Sequence, residues 1–371
     1  MIYSDGNITI KKYFELKYEE HRENVTDTAY HLKTLLIQAI DKQLVSNFPL
    51  GTFLSGGLDS SIITALTADS YRKQHSILDT FSLDFEENEK YFKSSLFQPD
   101  SDRLWVEKMV QREGTHHHNI IISNRDTAKT LKIAMQMRDL PGMADIDSSL
   151  YLLCKEVKKT VTVGISGECA DEVFGGYPWF YRHELYTDGL FPWSGDMRLR
   201  QSMLNPKYRE KLNLEEFARY RYKETLKSCP DFEGKDFAEK KSREMFHLNI
   251  IYFMGNLLER KDRMSMANGL EVRVPYCDHE LVQYVWNIPW DIKFYNQREK
   301  GILRLAMKDF LPDDILWRKK SPYPKTYHPD YTKIVSGLLL KETEDSLSPI
   351  WEILDKEEVL KLVNNQSSTP W

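Results

Sequence analysis

The sequence predicts an α/β protein on a doubly wound parallel sheet, with additional helices in its C-terminal half. Three observations carry this. Four short apolar segments, 50–54, 78–85, 118–122 and 161–165, read as strands. Between them lie helical patterns of about 10–15 residues, the alternation that gives parallel strands with helices on both faces. One strand runs into Phe53-Leu54-Ser55-Gly56-Gly57-Leu58-Asp59-Ser60-Ser61-Ile62, a glycine turn opening a helix. Open α/β sheets bind ligands at such strand carboxyl ends.

Taken in order, residues 1–27 form a polar, charged leader, in which Tyr13-Phe14 could dock on the body while Glu19 to Asn24 looks solvated. Asp27 or Thr28 caps a helix whose apolar positions, from His31 and Leu32 to Ala39 and Ile40, recur at helical spacing. After Leu50 to Leu54, a helix is expected from Ser60 to about Tyr71, then a strand at Leu78 to Phe85. Ser101-Asp102 opens a helix stopped at Gly114, and His118 to Ile122 is the third strand. Helices at Asn124–Met137 and from Asp147 to Lys159 precede the fourth strand, Val161 to Ile165. This makes 28–185 the α/β core. Residues 186–371 read as a helical insertion and further helices completing the same domain. They include a long helix from Glu244 to about Met266, one at Asp278–Trp286 and one at Glu299–Phe310.

Composition narrows the function classes. With 371 residues, 41% hydrophobic and 29% charged, the chain is an ordinary globular one. A net charge of −5 gives no electrostatic footprint for nucleic acid. No apolar run approaches the roughly 20 residues a membrane span needs, and no signal peptide opens the chain. Cys154, Cys169, Cys229 and Cys277 are scattered without metal-ligand spacing, which suits small buried residues in a reducing, cytoplasmic setting.

Four clusters could carry chemistry. In the glycine loop, Gly56-Gly57 lets the backbone approach a ligand and the following helix aims free N–H groups at it, an anion site. Asp59 would repel that anion unless a divalent metal bridges the two. The string is also compatible with an ordinary turn before a helix. It is not the loop for β/γ-phosphates, whose Gly-Lys-Ser/Thr ending is missing. The second cluster is Ser166 to Tyr177, where Glu168, Asp171 and Glu172 would share one face if the turn is helical. An acid-rich first helical turn is the structural alternative. The third runs from Leu258 to Asp278, dense in alternating charge. There Asp262, Arg263, Glu271 and Arg273 suit an ion-pair network as well as catalysis. In the fourth, Lys300 and Arg304 sit one helical turn apart and could both face the site, or form a solvated face. Arg318-Lys319-Lys320 reads as surface. His116-His117-His118 reads as a strand entry and not a metal set, because adjacent side chains alternate across a strand.

The glycine loop resembles the Ser-Gly-Gly-x-Asp-Ser-Ser loop of the ATP pyrophosphatase group, whose fold is the adenine nucleotide alpha hydrolase-like, Rossmann-like one. The four clusters together, in this order, resemble the synthetase domain of the glutamine-dependent asparagine synthetase family, from about residue 10 almost to the end. The strings are Leu54 to Ser61, Ser166 to Tyr177, Asp262 to Pro275 and Lys300 to Arg304. The resemblance implies roles. Leu54 and Leu83 would hold adenine or ribose through backbone groups. Ser55, Gly56, Gly57, Ser60 and Ser61 would cradle pyrophosphate, and Ser166 and Gly167 would touch the nucleotide. Asp59 and Asp171 would ligate Mg²⁺. Glu168 would serve acyl-adenylate formation and its capture by ammonia, and Lys300 would stabilise the pyrophosphate. The substrates implied are ATP, aspartate or another carboxylate, and ammonia.

The sequence departs from the family in several places. The glutaminase domain, with its cysteine after the initiator methionine, is not present: Ile2 follows Met1. Free ammonia or a separate glutaminase is then the expected nitrogen source, with a homodimer the assembly considered. Cys169 replaces the family's usual glycine and should be tolerated. Gly142 to Ser149 stands where asparagine-forming members have an Arg-Ala-Ser-Thr-Pro string, which bears on whether aspartate is the substrate. The stop at Pro370-Trp371 suggests a fragment or a short form. Two alternatives follow: an amide-forming cyclase resembling β-lactam synthetase, with Tyr177 and Glu168 as its base pair, and a nucleotide-binding subunit without activity of its own.

Overall fold

Five parallel strands, in the order β5-β4-β3-β6-β7, make the central sheet. They are β3 (Leu50–Phe53), β4 (Asp79–Phe85), β5 (His116–Ile122), β6 (Val163–Ile165) and β7 (Glu271–Arg273). The computed structural model describes residues 1–92, 100–182, 185, 189–195, 197–230 and 237–365. The expected start of the helical insertion at Tyr186 and the terminal Pro370-Trp371 lie outside the described residues.

The doubly wound reading holds. Helices α1 (Val25–Leu44), α2 (Leu58–Lys73) and α3 (Arg103–Glu113) pack on one face, where Leu32, Leu36, Ile62, Ile63 and Met109 join one buried cluster with Ile165. On the other face, Ala134 of α4 (Asn124–Arg138) and Leu150, Leu153 and Val157 of α5 (Asp145–Val157) cover Phe81, Phe85 and Ile122. Strand order reverses between β3 and β6, whose successors lie on opposite sides, so the carboxyl ends of these two strands flank the switch point where such folds open a crevice. Both catalytic-looking loops, 54–61 and 166–177, leave from those two strands.

The C-terminal half closes over this crevice. A short α6 (Ala170–Phe174) follows β6. Helices α7 (Phe237–Leu248) and α8 (Gly255–Met266) flank a π turn at Asn249–Met254. That turn breaks the single helix expected over 244–266 and sets Phe253 against Tyr177 and Trp179, ring centroids 5.1 and 5.4 Å away. Leu281 and Val285 of α9 (His279–Asn287) and Ile302 and Leu303 of α10 (Gly301–Ala306) belong to the same apolar cluster as α1 and β3.

Several expectations need correction. The leader is not featureless: β1 (Ile2–Ser4) and β2 (Asn7–Thr9) form an exposed antiparallel hairpin. Phe14 meets His279 edge-on while Tyr13 stays fully exposed. In the stretch read as solvated, Glu19, Glu20, Arg22 and Asn24 are exposed as expected, but the stretch is also tied to the body: Glu19 N donates to Asn287 Oδ1 at 2.8 Å and the half-buried Glu23 accepts from Tyr284 and His31. Asn24, not Asp27 or Thr28, caps α1. Asp147 lies inside the first turn of α5, paired with Arg138 at 3.1 Å, instead of capping it. β7 was missed, because three residues inside a charge-dense string give too short an alternation to read.

Candidate active site

The glycine loop meets its structural requirements. Gly56 has φ +67°, and a Cβ there would fall 2.5 Å from the Trp105 Cβ, so no other residue fits. Gly57 is the N-cap of α2 and no side chain caps the helix, which leaves its first-turn N–H groups for a ligand. Ser55 Oγ lies 3.0 Å from Ser60 Oγ, and Ser55 N donates to Ser60 Oγ at 3.2 Å. Ser61 Oγ is buried and has no partner among the described residues. Across the crevice, Gly167 sits so close that a Cβ would come 2.8 Å from Ser60 N. The 54–61 and 166–177 loops therefore touch backbone to backbone. Leu54 is buried and hydrogen-bonded to Phe81 O at 2.8 Å; Leu83 lies on β4 beside it, half-buried. Ser166 is anchored by its N–H to Arg273 O at 2.9 Å, a bond that depends on β7.

Lys300 closes the crevice. It sits in a tight left-handed stretch with φ +55°, just before α10 and not within a helix begun at Glu299. Its ammonium reaches Asp59 Oδ1 and Oδ2 at 2.8 and 2.7 Å and Asp171 Oδ1 at 2.8 Å. Its side chain is 2% exposed. Lys320 bonds the other Asp171 oxygen and lies 4.7 Å from the Tyr177 ring centre. Two acids and two lysines thus neutralise each other. Burial drives the Asp59 carboxyl up against the pull of Lys300. Asp171 feels the same burial, but Lys300 and Lys320 together hold it well below the usual carboxylate range. The difference has a simple cause: Lys320 bonds Asp171 alone. Burial opposes the charge of Lys300, yet Asp171 and Asp59 keep its pKa above the ordinary lysine value.

The three acids expected on one face are instead drawn to three partners, because α6 begins only at Ala170, after Cys169 at φ +74°. Glu168 pairs with Lys261 at 3.0 Å, and its second oxygen, Oε2, is buried without a partner among the described residues. Asp171 faces the lysines. Glu172 accepts from the Tyr177 hydroxyl at 2.5 Å. Burial, with the charge of Asp171, pushes Glu172 up to about 7, and burial with Glu172 drives the Tyr177 hydroxyl well up. Tyr177 is thus partnered with Glu172 and not with Glu168.

Arg304 does not face the crevice. It is fully buried and ties Glu299 (2.9 Å) to the carbonyls of Leu316 and Arg318. Arg318 and Lys320, read as surface, are internal: Arg318 pairs with Asp102, donates to Ser55 O at 3.4 Å and covers the Trp105 ring. Lys319 alone of the three is exposed. In the third cluster three of the four named residues join ion pairs: Arg263 pairs with Asp139 at 2.8 Å, and Arg273 with Glu271 at 2.7 Å and with the Gln43 and Val45 carbonyls, while Asp262 is exposed. The site-facing members are their neighbours. Lys261 holds Glu168. Arg260, 5% exposed, has no carboxylate partner among the described residues: one nitrogen meets Met143 Sδ at 3.3 Å and its Nε bonds nothing. Arg260 and Glu168 both act electrostatically on the buried Tyr323 hydroxyl, which Ser149 bonds at 3.4 Å. A helical-wheel reading of 255–266 could have put Arg260, Lys261 and Met264 on one inward stripe.

Comparison with known proteins identifies a family for the chain. A family model described as asparagine synthase matches residues 31–370. Asparagine synthetase [glutamine-hydrolyzing] 3 of Bacillus subtilis is 47% identical over 375 residues, spanning 100% of this chain and 61% of that protein. Asparagine synthetase [glutamine-hydrolyzing] 1 of the same organism is 28% identical over 86% of this chain and 53% of its own length. The Bos taurus asparagine synthetase is 24% identical over 79% of this chain and 42% of its own length. The chain therefore spans less than two thirds of the length of these relatives.

Proposed function

The chain belongs to the asparagine synthase family, and from that premise we propose that it is an ATP-dependent, AMP-forming amide ligase, activating a carboxylate, aspartate, for amidation by ammonia. The observation that carries the reading is the convergence of the uncapped α2 terminus, Lys300 and the Glu168–Lys261 pair on one crevice at the switch point.

The substrate carboxylate attacks the α-phosphorus of ATP and displaces pyrophosphate. Charge develops on the departing group against the α2 N–H groups and the Lys300 ammonium, donors that need no reorganisation. Three carboxylate oxygens of Asp59 and Asp171 already converge on one cation, the Lys300 ammonium, so this pair suits Mg²⁺, a hard ion that takes oxygen ligands. Asp59 and Asp171 would hold it, and when bound it would neutralise phosphate charge. Glu168, oriented by Lys261 and with one oxygen unpartnered among the described residues, is the group to accept the proton that ammonia loses on attacking the acyl-adenylate. Arg260, buried beside it without an acid, supplies the cation for a second substrate carboxylate that Gly142 to Ser149 lacks. The pairing of Tyr177 with Glu172 disfavours the cyclase alternative, which required Tyr177 beside Glu168. Four free cysteines suit a reducing, cytoplasmic setting, and among the described residues no helix is long and apolar enough to cross a membrane.

Aspartate-dependent ATP–pyrophosphate exchange, followed by asparagine formation from ammonium with AMP as co-product, tests the reading. Exchange with a different acid only would move it to the cyclase class; ATP binding with no exchange for any acid would leave a nucleotide-binding subunit.

A further inference from the structure

We propose that Asp79, His116 and His118 form a binding site for one divalent transition ion of the zinc class, at the amino-terminal end of the sheet and apart from the nucleotide crevice. The histidine run looks unsuited to a metal in sequence, because neighbours in a strand face opposite ways. The structure sorts them. His117 turns to one face and bonds Thr80 Oγ1 and Ser82 Oγ, each at 3.0 Å. His116 and His118 share the other face. The parallel register sets Asp79 directly beside His116 and Phe81 beside His118.

Asp79 supplies the third donor, which sequence could not place because it lies 37 residues from His116. Its Oδ1 is 2.8 Å from His116 Nδ1 and 2.7 Å from His118 Nε2. All three donor atoms lie within 4.8 Å of one another, and no other such trio occurs among the described residues. His118 is held in place by stacking on the buried Phe81 ring, with centroids 4.8 Å apart and planes 14° off parallel. The outer side is open: the His116 side chain is 69% exposed, those of Asp79 and His118 28%. Water can therefore complete the coordination.

Two imidazoles and a carboxylate are the borderline donors that favour zinc-like ions over Mg²⁺. Tetrahedral bonds of about 2.0–2.1 Å separate ligand atoms by about 3.3 Å. The trio needs to open by about half an ångström, which the exposed His116 ring can provide. The competing account is that Asp79 simply accepts an N–H from each imidazole and binds nothing. The two accounts share this geometry and differ in a titration. In the metal account the ion spans β4 and β5 at their first residues and clips the sheet's edge strand, so binding adds to folding stability. Leu83 lies four residues further along β4, about 13 Å at 3.3 Å per residue, so the ion takes no part in ATP chemistry.

The test is calorimetric titration of the metal-freed full chain with Zn²⁺, beside Mg²⁺, with thermal unfolding recorded alongside. One Zn²⁺ per chain at micromolar affinity or better is expected, with raised thermal stability and no equivalent Mg²⁺ effect. His116→Ala, at an exposed position that should fold normally, and His118→Ala should each weaken binding by roughly 100-fold or more. His117→Ala should bind as wild type does. Wild-type binding no tighter than millimolar, or wild-type affinity retained in His116→Ala and His118→Ala, overturns the proposal and leaves Asp79 as a hydrogen-bond acceptor.

Discussion

Lys300→Met removes the ammonium between Asp59 and Asp171 while keeping most of the side chain's volume. Lys300 makes three short contacts to these acids from a side chain 2% exposed. Deleting one partner of a buried ion pair typically costs about 3–5 kcal/mol, because the other charge is left uncompensated. Lys320 still faces Asp171, so the uncompensated charge is mainly Asp59. The sign against pH follows. In the wild type, the stability due to the raised Lys300 pKa is fully present below the unfolded lysine value of about 10.4 and is lost only as pH rises through the higher folded value. It is therefore constant across the acid and neutral range. In the variant, Asp59, already raised by burial, rises further and takes up a proton on folding. A carboxylate with a raised folded pKa costs stability as pH rises, so the variant's deficit is smaller in acid and grows toward alkaline pH. The low pKa of Asp171 narrows the acid gap further, since its wild-type contribution fades as pH falls. Urea midpoints at about pH 4.5 and 8 read this directly. Pyrophosphate exchange should fall by about 10²–10³ with ATP affinity largely kept. A deficit below about 1 kcal/mol that does not change with pH would refute the argument that Lys300 holds these acids together.

Other substitutions test separate parts of the crevice. Glu172, pushed up from 4.5 to about 7, binds a proton in the folded state, so the wild type loses stability as pH rises between those values; Glu172→Gln should remove that loss, a gain on the order of 3 kcal/mol at pH 8 relative to pH 4.5 in urea unfolding, and an unchanged pH profile rejects it. Cys169 is left-handed at φ +74°, so Cys169→Gly should be more stable than Cys169→Ala by about 1 kcal/mol, the reverse of their usual order; denaturation showing alanine ahead would mean the backbone is unstrained. Arg260→Met should raise the KM for the carboxylate substrate by about 30-fold or more with the KM for ATP unchanged, and equal changes in both would make Arg260 structural.

The α/β class, four strands of the sheet and the glycine turn that opens α2 were legible because each is written locally, in apolar period and in Gly-Gly punctuation. Partner choice was not. Glu168, Asp171 and Glu172 look equivalent on a helical wheel, yet a single left-handed residue, Cys169, delays the helix and sends them to Lys261, Lys300 and Tyr177. Lys320 reads as one of three surface cations because nothing local reports that Asp171, 149 positions earlier, waits for it. The same distance hides the link from Asp79 to His116 and His118. β7 was illegible for another reason: its three residues derive their order from pairing with β6, a long-range event with no local signature.

Both sides of the crevice are held by non-glycine residues in the left-handed region, Cys169 at φ +74° and Lys300 at φ +55°. Each such residue costs roughly 1–3 kcal/mol and persists only where its surroundings fix it. The surroundings here are the charges themselves: Lys300 is bound to Asp59 and Asp171, and Asp171 follows Cys169 within the same turn. Without those ion pairs the 295–300 segment would relax toward ordinary backbone angles and the ammonium would leave the crevice. Strain and ion pairing are therefore one device. The pairing pins two unfavourable turns, and the turns hold the ammonium in front of the α2 terminus before any phosphate arrives. Such preorganisation lets a fixed cation act on a leaving group without reorganising during the reaction. The two acids that bind the ammonium follow β3 and β6, and because these strands are hydrogen-bonded side by side, Asp59 and Asp171 are presented to Lys300 from a fixed base.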